Sequence, residues 1–141
     1  MTATTRPIAL LAGLILAATT LGASAETISL HALLLGGTNL PKTTSEGFGE
    51  AQLTYDSATR QLEYYVSYDG VAPIRIDLHG PAGPAETAGA ILAIPVSGSP
   101  ISGAATLTPE QADMLLAGKL YVDMHSQAYA DGEVRGQIQK Q

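Results

Sequence analysis

An Asp-x-His unit occurs twice in this chain, as Asp77-Leu78-His79 and as Asp123-Met124-His125. In an extended strand residues two apart share a face, so each unit sets a carboxylate and an imidazole side by side. They stand about 7 Å apart along one strand, too far for a direct hydrogen bond, so neither unit alone makes a base and its orienter. If the two strand ends converge, two neutral imidazoles and two carboxylates form a donor set for one divalent metal ion, in tetrahedral or open geometry. Ring nitrogens near 3–4 Å apart would favour such a site, and a gap above about 8 Å would exclude it. The competing reading is a solvated face on which Asp123 pairs with Arg135 and Asp77 with Arg75 or a neighbour, each exposed pair worth at most about 1 kcal/mol.

The elements that must position these residues follow from the pattern after residue 26. Period-two apolar runs separated by Gly, Pro, Asp and Asn predict strands at 27–35, 48–55, 61–68, 73–79, 89–96, 103–107, 119–125 and 133–139. This spacing predicts an all-β fold, an antiparallel Greek-key-like sandwich or barrel. In 73–79, alternation puts Ile74, Ile76 and Leu78 on the buried face and Arg75, Asp77 and His79 on the other. In 119–125, Leu120, Val122 and Met124 are buried and Lys119, Tyr121, Asp123 and His125 lie opposite; in 133–139, Val134, Gly136 and Ile138 point inward and Glu133, Arg135 and Gln137 outward. Asp131-Gly132 marks a turn between the last two strands. Counting outward from it sets His125 near Glu133, Asp123 near Arg135 and Tyr121 near Gln137. Glu133 and Arg135 are thus the expected polar support for the Asp/His set.

One segment departs from period two. Thr108-Pro109-Glu110-Gln111 combines an N-cap, a proline at the first helical position and a Gln three residues after the cap, and Ala112, Leu115 and Leu116 continue as an apolar stripe that Gly118 can end. A single short helix is expected over about 109–117, with an architectural role. Gly80-Pro81-Ala82-Gly83-Pro84 reads as a sharp corner leaving a strand, since it lacks the Lys and following helix of a phosphate loop.

Composition removes other classes. The 141 residues hold 7 Lys and Arg against 13 Asp and Glu, 3 His and no Cys. Residues 1–25 carry Arg6, the apolar stretch Ile8–Leu21 and Ala23-Ser24-Ala25, which is the pattern of a secretory leader cleaved before Glu26. One domain is expected over 26–141, exported to the periplasm or the extracellular space. Without any Cys the chain has no lipoprotein anchor, disulfide, thiolate nucleophile or Cys-ligated metal. No apolar run reaches the roughly 18 residues of a membrane span, and an acidic chain lacking a basic cluster is a poor nucleic-acid binder. No Gly-x-Ser-x-Gly elbow is present. His31, in the first apolar strand, reads as a structural residue. Tyr64 and Tyr68 fall on one face and Tyr65 on the other, leaving cross-strand packing or an exposed stacking row as alternatives.

Four stretches together resemble the CHRD domain, named after its repeats in chordin. They are Leu35-Gly36-Gly37-Thr38-Asn39-Leu40-Pro41, Leu78-His79-Gly80-Pro81-Ala82, Leu107-Thr108-Pro109-Glu110-Gln111, and Tyr121-Val122-Asp123-Met124-His125 running into Gly132-Glu133-Val134-Arg135-Gly136-Gln137-Ile138. The resemblance implies an all-β sandwich and no established reaction. The family pattern reads His-x-His-Gly-Pro where this chain has Asp77-Leu78-His79-Gly80-Pro81, and Asn where Asp123 stands. An oxygen donor therefore replaces one imidazole, while His79, His125, Glu133 and Arg135 match. The family's His-x-His-Gly stretch is loosely similar to copper-zinc superoxide dismutase, but a dinuclear site of that kind needs about six His. The expected function is a non-enzymatic exported module that binds an extracellular or periplasmic protein or matrix component. The alternative is a metal-binding protein or mononuclear metalloenzyme holding one zinc or copper ion at Asp77, His79, Asp123 and His125. No catalytic residue is assigned.

Overall fold

A computed structural model describes residue 22 and residues 24–141. The expected leader over 1–25 therefore lies almost wholly outside the described residues. Nine strands follow: β1 (Thr27–Leu35), β2 (Phe48–Asp56), β3 (Gln61–Asp69), β4 (Pro73–His79), β5 (Ala90–Ile94), β6 (Ile101–Thr106), β7 (Tyr121–Ser126), β8 (Val134–Gln137) and β9 (Gln139–Lys140). Among the described residues there is one helix, α1 (Pro109–Leu116), between β6 and β7, and one 3-10 turn over Gly36–Thr38. All pairings are antiparallel, in the order β5-β4-β7-β8-β1-β2-β3-β6 with β9 added to β1. The sheet curls into a nearly closed barrel with β5 and β6 at its edges. The non-consecutive neighbours β4–β7, β8–β1 and β3–β6 are the crossovers of a Greek-key-like path.

Alternation builds the core as it builds the strands. Leu30, Ala32 and Leu34 of β1, Ala51, Leu53 and Tyr55 of β2, and Leu62, Tyr64 and Val66 of β3 all face inward and are buried. From the other side come Ile76, Leu78, Val122, Met124 and Val134. Each fully buried aliphatic side chain of this kind contributes about 1.5–3 kcal/mol relative to exposure. Helix α1 adds Ala112 and Leu115. Its start is the reciprocal cap expected from sequence: Gln111 N donates to Thr108 Oγ1 at 3.1 Å and Thr108 N to Gln111 Oε1 at 3.0 Å.

Two expectations need correction. Ile74 is not buried: at the start of β4, before the barrel closes over the strand, it is 65% exposed. The expected strand over 133–139 is two strands, because Ile138 N donates to Leu120 O and the chain then crosses to β1, where Lys140 and Gln139 stand opposite Leu30 and His31. For the tyrosines, packing is the alternative that the burial supports. Tyr55, Tyr64 and Tyr121 are buried, and among the described tyrosines Tyr65 is the one classed as a large exposed hydrophobic.

The β7–β8 hairpin sets the site's register, and it depends on Gly132. That residue has φ +113°, a region L side chains rarely adopt, and a Cβ there would stand 2.7 Å from Asp123 Oδ1 and 3.0 Å from Asn39 Oδ1. Gly132→Ala is therefore expected to cost about 3 kcal/mol in denaturant unfolding, from backbone strain together with overpacking. A loss below about 0.5 kcal/mol would contradict this account of the turn.

Candidate metal centre on a buried polar face

The outward faces of β4, β7 and β8 carry Arg75, Asp77 and His79, then Tyr121, Asp123 and His125, then Arg135 and Gln137. Register aligns them in rows: Asp77 opposite Asp123 opposite Arg135, His79 opposite Tyr121 opposite Gln137, and Arg75 opposite His125. The hairpin pairs expected from the Asp131-Gly132 turn, Asp123 with Arg135 and Tyr121 with Gln137, are both present.

This face is not solvated, contrary to the competing reading of the sequence. Asp77, His79, Asp123, His125, Glu133 and Arg135 are all buried. Three loops cover them. From residues 80–89, Gly83 O accepts from Arg135 Nη2 at 3.0 Å and Ala82 O from Gln137 Nε2 at 2.8 Å. From residues 36–47, Asn39 Nδ2 donates to Gly132 O at 2.8 Å, Thr43 Oγ1 to Glu133 O at 2.7 Å and Ser45 Oγ to Glu133 Oε1 at 2.6 Å. The third, 127–132, closes over His125. The corner at Gly80–Pro84 is thus also a cover for the site.

Both imidazoles are held by loop carbonyls. His79 Nδ1 lies 2.9 Å from Ala88 O, and His125 Nδ1 lies 2.9 Å from Ala130 O. A carbonyl only accepts, so each Nδ1 carries the proton and each Nε2 keeps its lone pair. Orientation of a ligating imidazole by a hydrogen bond from its second nitrogen is the usual arrangement in metal sites. Tyr121 reinforces it. Its ring stacks on His79 at 4.9 Å between centroids and 7° between planes, and its hydroxyl donates to the same Ala88 O at 3.1 Å.

Atoms of Asp77, His79 and His125 suited to metal ligation lie within 4.8 Å of one another. Bonds of about 2.0–2.2 Å to a tetrahedral ion would put such donors about 3.4 Å apart, so small side-chain rotations suffice. His79 Nε2 is 4.0 Å from Asp77 Oδ2. Neither atom has a hydrogen-bond partner, although both are buried. Asp77 Oδ2 has the Arg75 guanidinium against it, whereas leaving His79 Nε2 unsatisfied costs about 1–3 kcal/mol, which points to an occupant that the two strands alone do not supply.

Asp123 stands beside this triad, its Oδ2 at 3.5 Å from His125 Nε2. The expected Asp123–Arg135 ion pair does not form. Instead Arg135 lies with Cζ 3.5 Å from the Tyr121 ring centroid and donates to Gly83 O. The expected Asp77–Arg75 contact is present, with Nε at 2.7 Å from Oδ2, although its direction is not that of a hydrogen bond. Glu133 is engaged by Ser45 and His31 stays apart on β1, beside a cleft of about 430 Å³ lined by Leu33, Leu35 and Pro84. That cleft borders Arg135 and Gln137 but none of the triad. Sequence reasoning missed Asn39, Ser45 and the Ala88 and Ala130 carbonyls. The first falls in the Leu35–Pro41 stretch, where its spacing gave no sign of a partner near residue 132.

Burial pushes the Asp123 carboxyl above the ordinary aspartate range, against the opposing pull of His125, His79, Arg135 and Arg75. Asp123 Oδ1 and Asn39 Oδ1 are both buried acceptors with no donor. Because the folded chain holds the Asp123 proton more tightly than the unfolded one, this group's contribution to stability falls as pH rises from the ordinary aspartate value through the raised one. Asp123→Asn removes that dependence and supplies an amide donor. In metal-free protein it is expected to raise unfolding free energy at neutral pH by about 1–2 kcal/mol, with the difference from the parent shrinking toward pH 4. Denaturant titrations across pH check both parts, and a variant less stable than the parent at pH 7 would contradict them.

The model of the CHRD domain matches residues 30–138 of the 141. No curated protein and no solved structure matches the chain. The matched span takes in most of β1, all of β2 to β8, all three covering loops and every residue of the Asp/His set. The chain belongs to the CHRD domain family.

Proposed function

We propose that this CHRD domain is an exported binding module whose ligand is one divalent transition-metal ion, held by Asp77, His79 and His125 with Asp123 beside them. The carrying observation is the convergence of the three donors within 4.8 Å, with His79 Nε2 and Asp77 Oδ2 buried and lacking hydrogen-bond partners. Two imidazole nitrogens and a carboxylate suit zinc or copper better than calcium or magnesium, which prefer all-oxygen shells. Export is supported by the Arg6, Ile8–Leu21 and Ala23-Ser24-Ala25 pattern. Among the described residues no helix is long and apolar enough to cross a membrane.

A role in holding an extracellular or periplasmic protein or matrix component accompanies this reading. It is favoured by exposed Leu33, Leu35 and Phe48, the last two directly opposite each other on β1 and β2. The metal reading is tested by calorimetric titration of zinc and of copper into chelator-treated protein. One ion per chain is expected. Free metal at 100 times its dissociation constant then stabilises the fold by about 2.7 kcal/mol. Unchanged melting together with no binding heat for either metal would remove the proposal.

A further inference from the structure

Arg75 reaches the cluster from outside. It lies on β4 two residues before Asp77 and opposite His125, where the β4–β7 register shifts between Pro73 and Arg75. Its side chain is 57% exposed while that of Asp77 is 6% exposed, so the stem runs through solvent and the guanidinium turns inward. Nε stands 2.7 Å from Asp77 Oδ2, and Nη2 stands 3.1 Å from His125 Nε2 and 3.3 Å from its Nδ1. The guanidinium thus touches two of the three residues that converge as metal ligands.

The contact with Asp77 sets Arg75 and an ion in competition for the same oxygen. The Nδ1 proton of His125 is committed to Ala130 O, and Arg75 Nη2, nearly equidistant from the two ring nitrogens, lies against the ring and leaves the in-plane Nε2 lone pair open to an ion. A dication on Asp77 would also repel the guanidinium held against the same carboxylate. Without a cation, Asp77 and Asp123 would face each other in register on a buried face, an arrangement that is destabilising for like charges.

We infer that Arg75 is a built-in counter-cation: it holds the donor set together in the metal-free protein and is displaced when the ion binds. This rests on the reading of Asp77, His79 and His125 as a metal site. In the metal-free state Arg75 balances the Asp77 carboxylate and keeps His125 engaged. Loading then requires the guanidinium to swing out along its solvent-exposed stem, which disturbs little of the core. The site's apparent affinity is lowered by the fraction of molecules in which Arg75 is docked. Such a centre suits uptake and release of an ion rather than its permanent retention.

Zinc titrations with a competing chelator, on the parent, R75Q, R75K and H79Q, test the inference. R75Q is expected to bind zinc at least about tenfold tighter than the parent. R75K should fall between them, because an ammonium is a compact point charge that does not span Asp77 and His125 as the planar fork does. H79Q should lose binding. In the parent, zinc should also shift the Arg75 Nε–Hε NMR resonance toward that of a solvent-exposed arginine, a readout that serves if R75Q does not fold. Equal or weaker binding by R75Q beside a parent that binds overturns the inference and leaves the metal site standing. Binding by neither parent nor R75Q overturns the metal site itself, and binding by R75Q alone supports the inference in its strongest form.

Discussion

His79→Gln and His125→Gln are each expected to weaken zinc or copper binding more than about 100-fold while leaving the metal-free barrel folded. Loss of groups that merely orient a ligand costs 10–100-fold, and these two residues are the ligands themselves. The fold should tolerate the first change because His79 Nε2 has no partner to lose, and the ring's other contacts are one hydrogen bond to Ala88 O and a stack on Tyr121. His125 forfeits its bond to Ala130 O and its contact with Arg75, so its variant should lose somewhat more stability. Calorimetry for affinity and far-ultraviolet circular dichroism for the fold separate the two effects. Undiminished affinity in either variant would remove that imidazole from the site.

Arg135→Met carries the largest expected stability loss, about 3–5 kcal/mol in denaturant unfolding. Arg135 is only 2% exposed, and its guanidinium roofs the Tyr121 ring and ties the loop over 80–89 to β8 through Gly83 O. It also stands in register with Asp123, one of the buried carboxylates it helps to balance. Removing it leaves that charge less compensated, which is why breaking such an arrangement costs more than forming it contributes. Asp123→Asn placed in the Arg135→Met background should therefore recover about 1–3 kcal/mol, more than Asp123→Asn yields alone. Equal effects of Asp123→Asn in the two backgrounds would show that Arg135 acts through packing, without electrostatic coupling to Asp123.

Much of this arrangement is legible in the sequence because its information is local. Alternation over 27–35 and 73–79 coincides with the bounds of β1 and β4, Thr108-Pro109-Glu110-Gln111 starts α1, and Asp131-Gly132 sets the β7–β8 register. Alternation assigns Asp77 and His79 to one side of the sheet, but it says nothing of what lies over that side. The cover comes from Gly80–Gly89, whose bonds to the site run through Gly83 O and Ala82 O and leave no mark in residue type, and from the segment Gly36 to Gly47, whose Asn39, Thr43 and Ser45 side chains reach partners about 90 residues away. The meeting of the two Asp-x-His units depends on β4 pairing with β7, strands more than 40 residues apart with β5, β6 and α1 between them. Arg75 illustrates the same limit. Its contact with Asp77 follows from their shared face, whereas its contact with His125 requires that long-range pairing.

The most direct test of the metal centre is an anomalous-scattering measurement at the zinc edge on crystals of the protein grown with zinc. The account predicts one strong peak at about 2.0–2.1 Å from the Nε2 atoms of His79 and His125 and about 2.0–2.2 Å from a carboxylate oxygen of Asp77. Arg75 should be turned away from all three. Zinc found elsewhere on the molecule, with Arg75 still against Asp77 and His125, would contradict it.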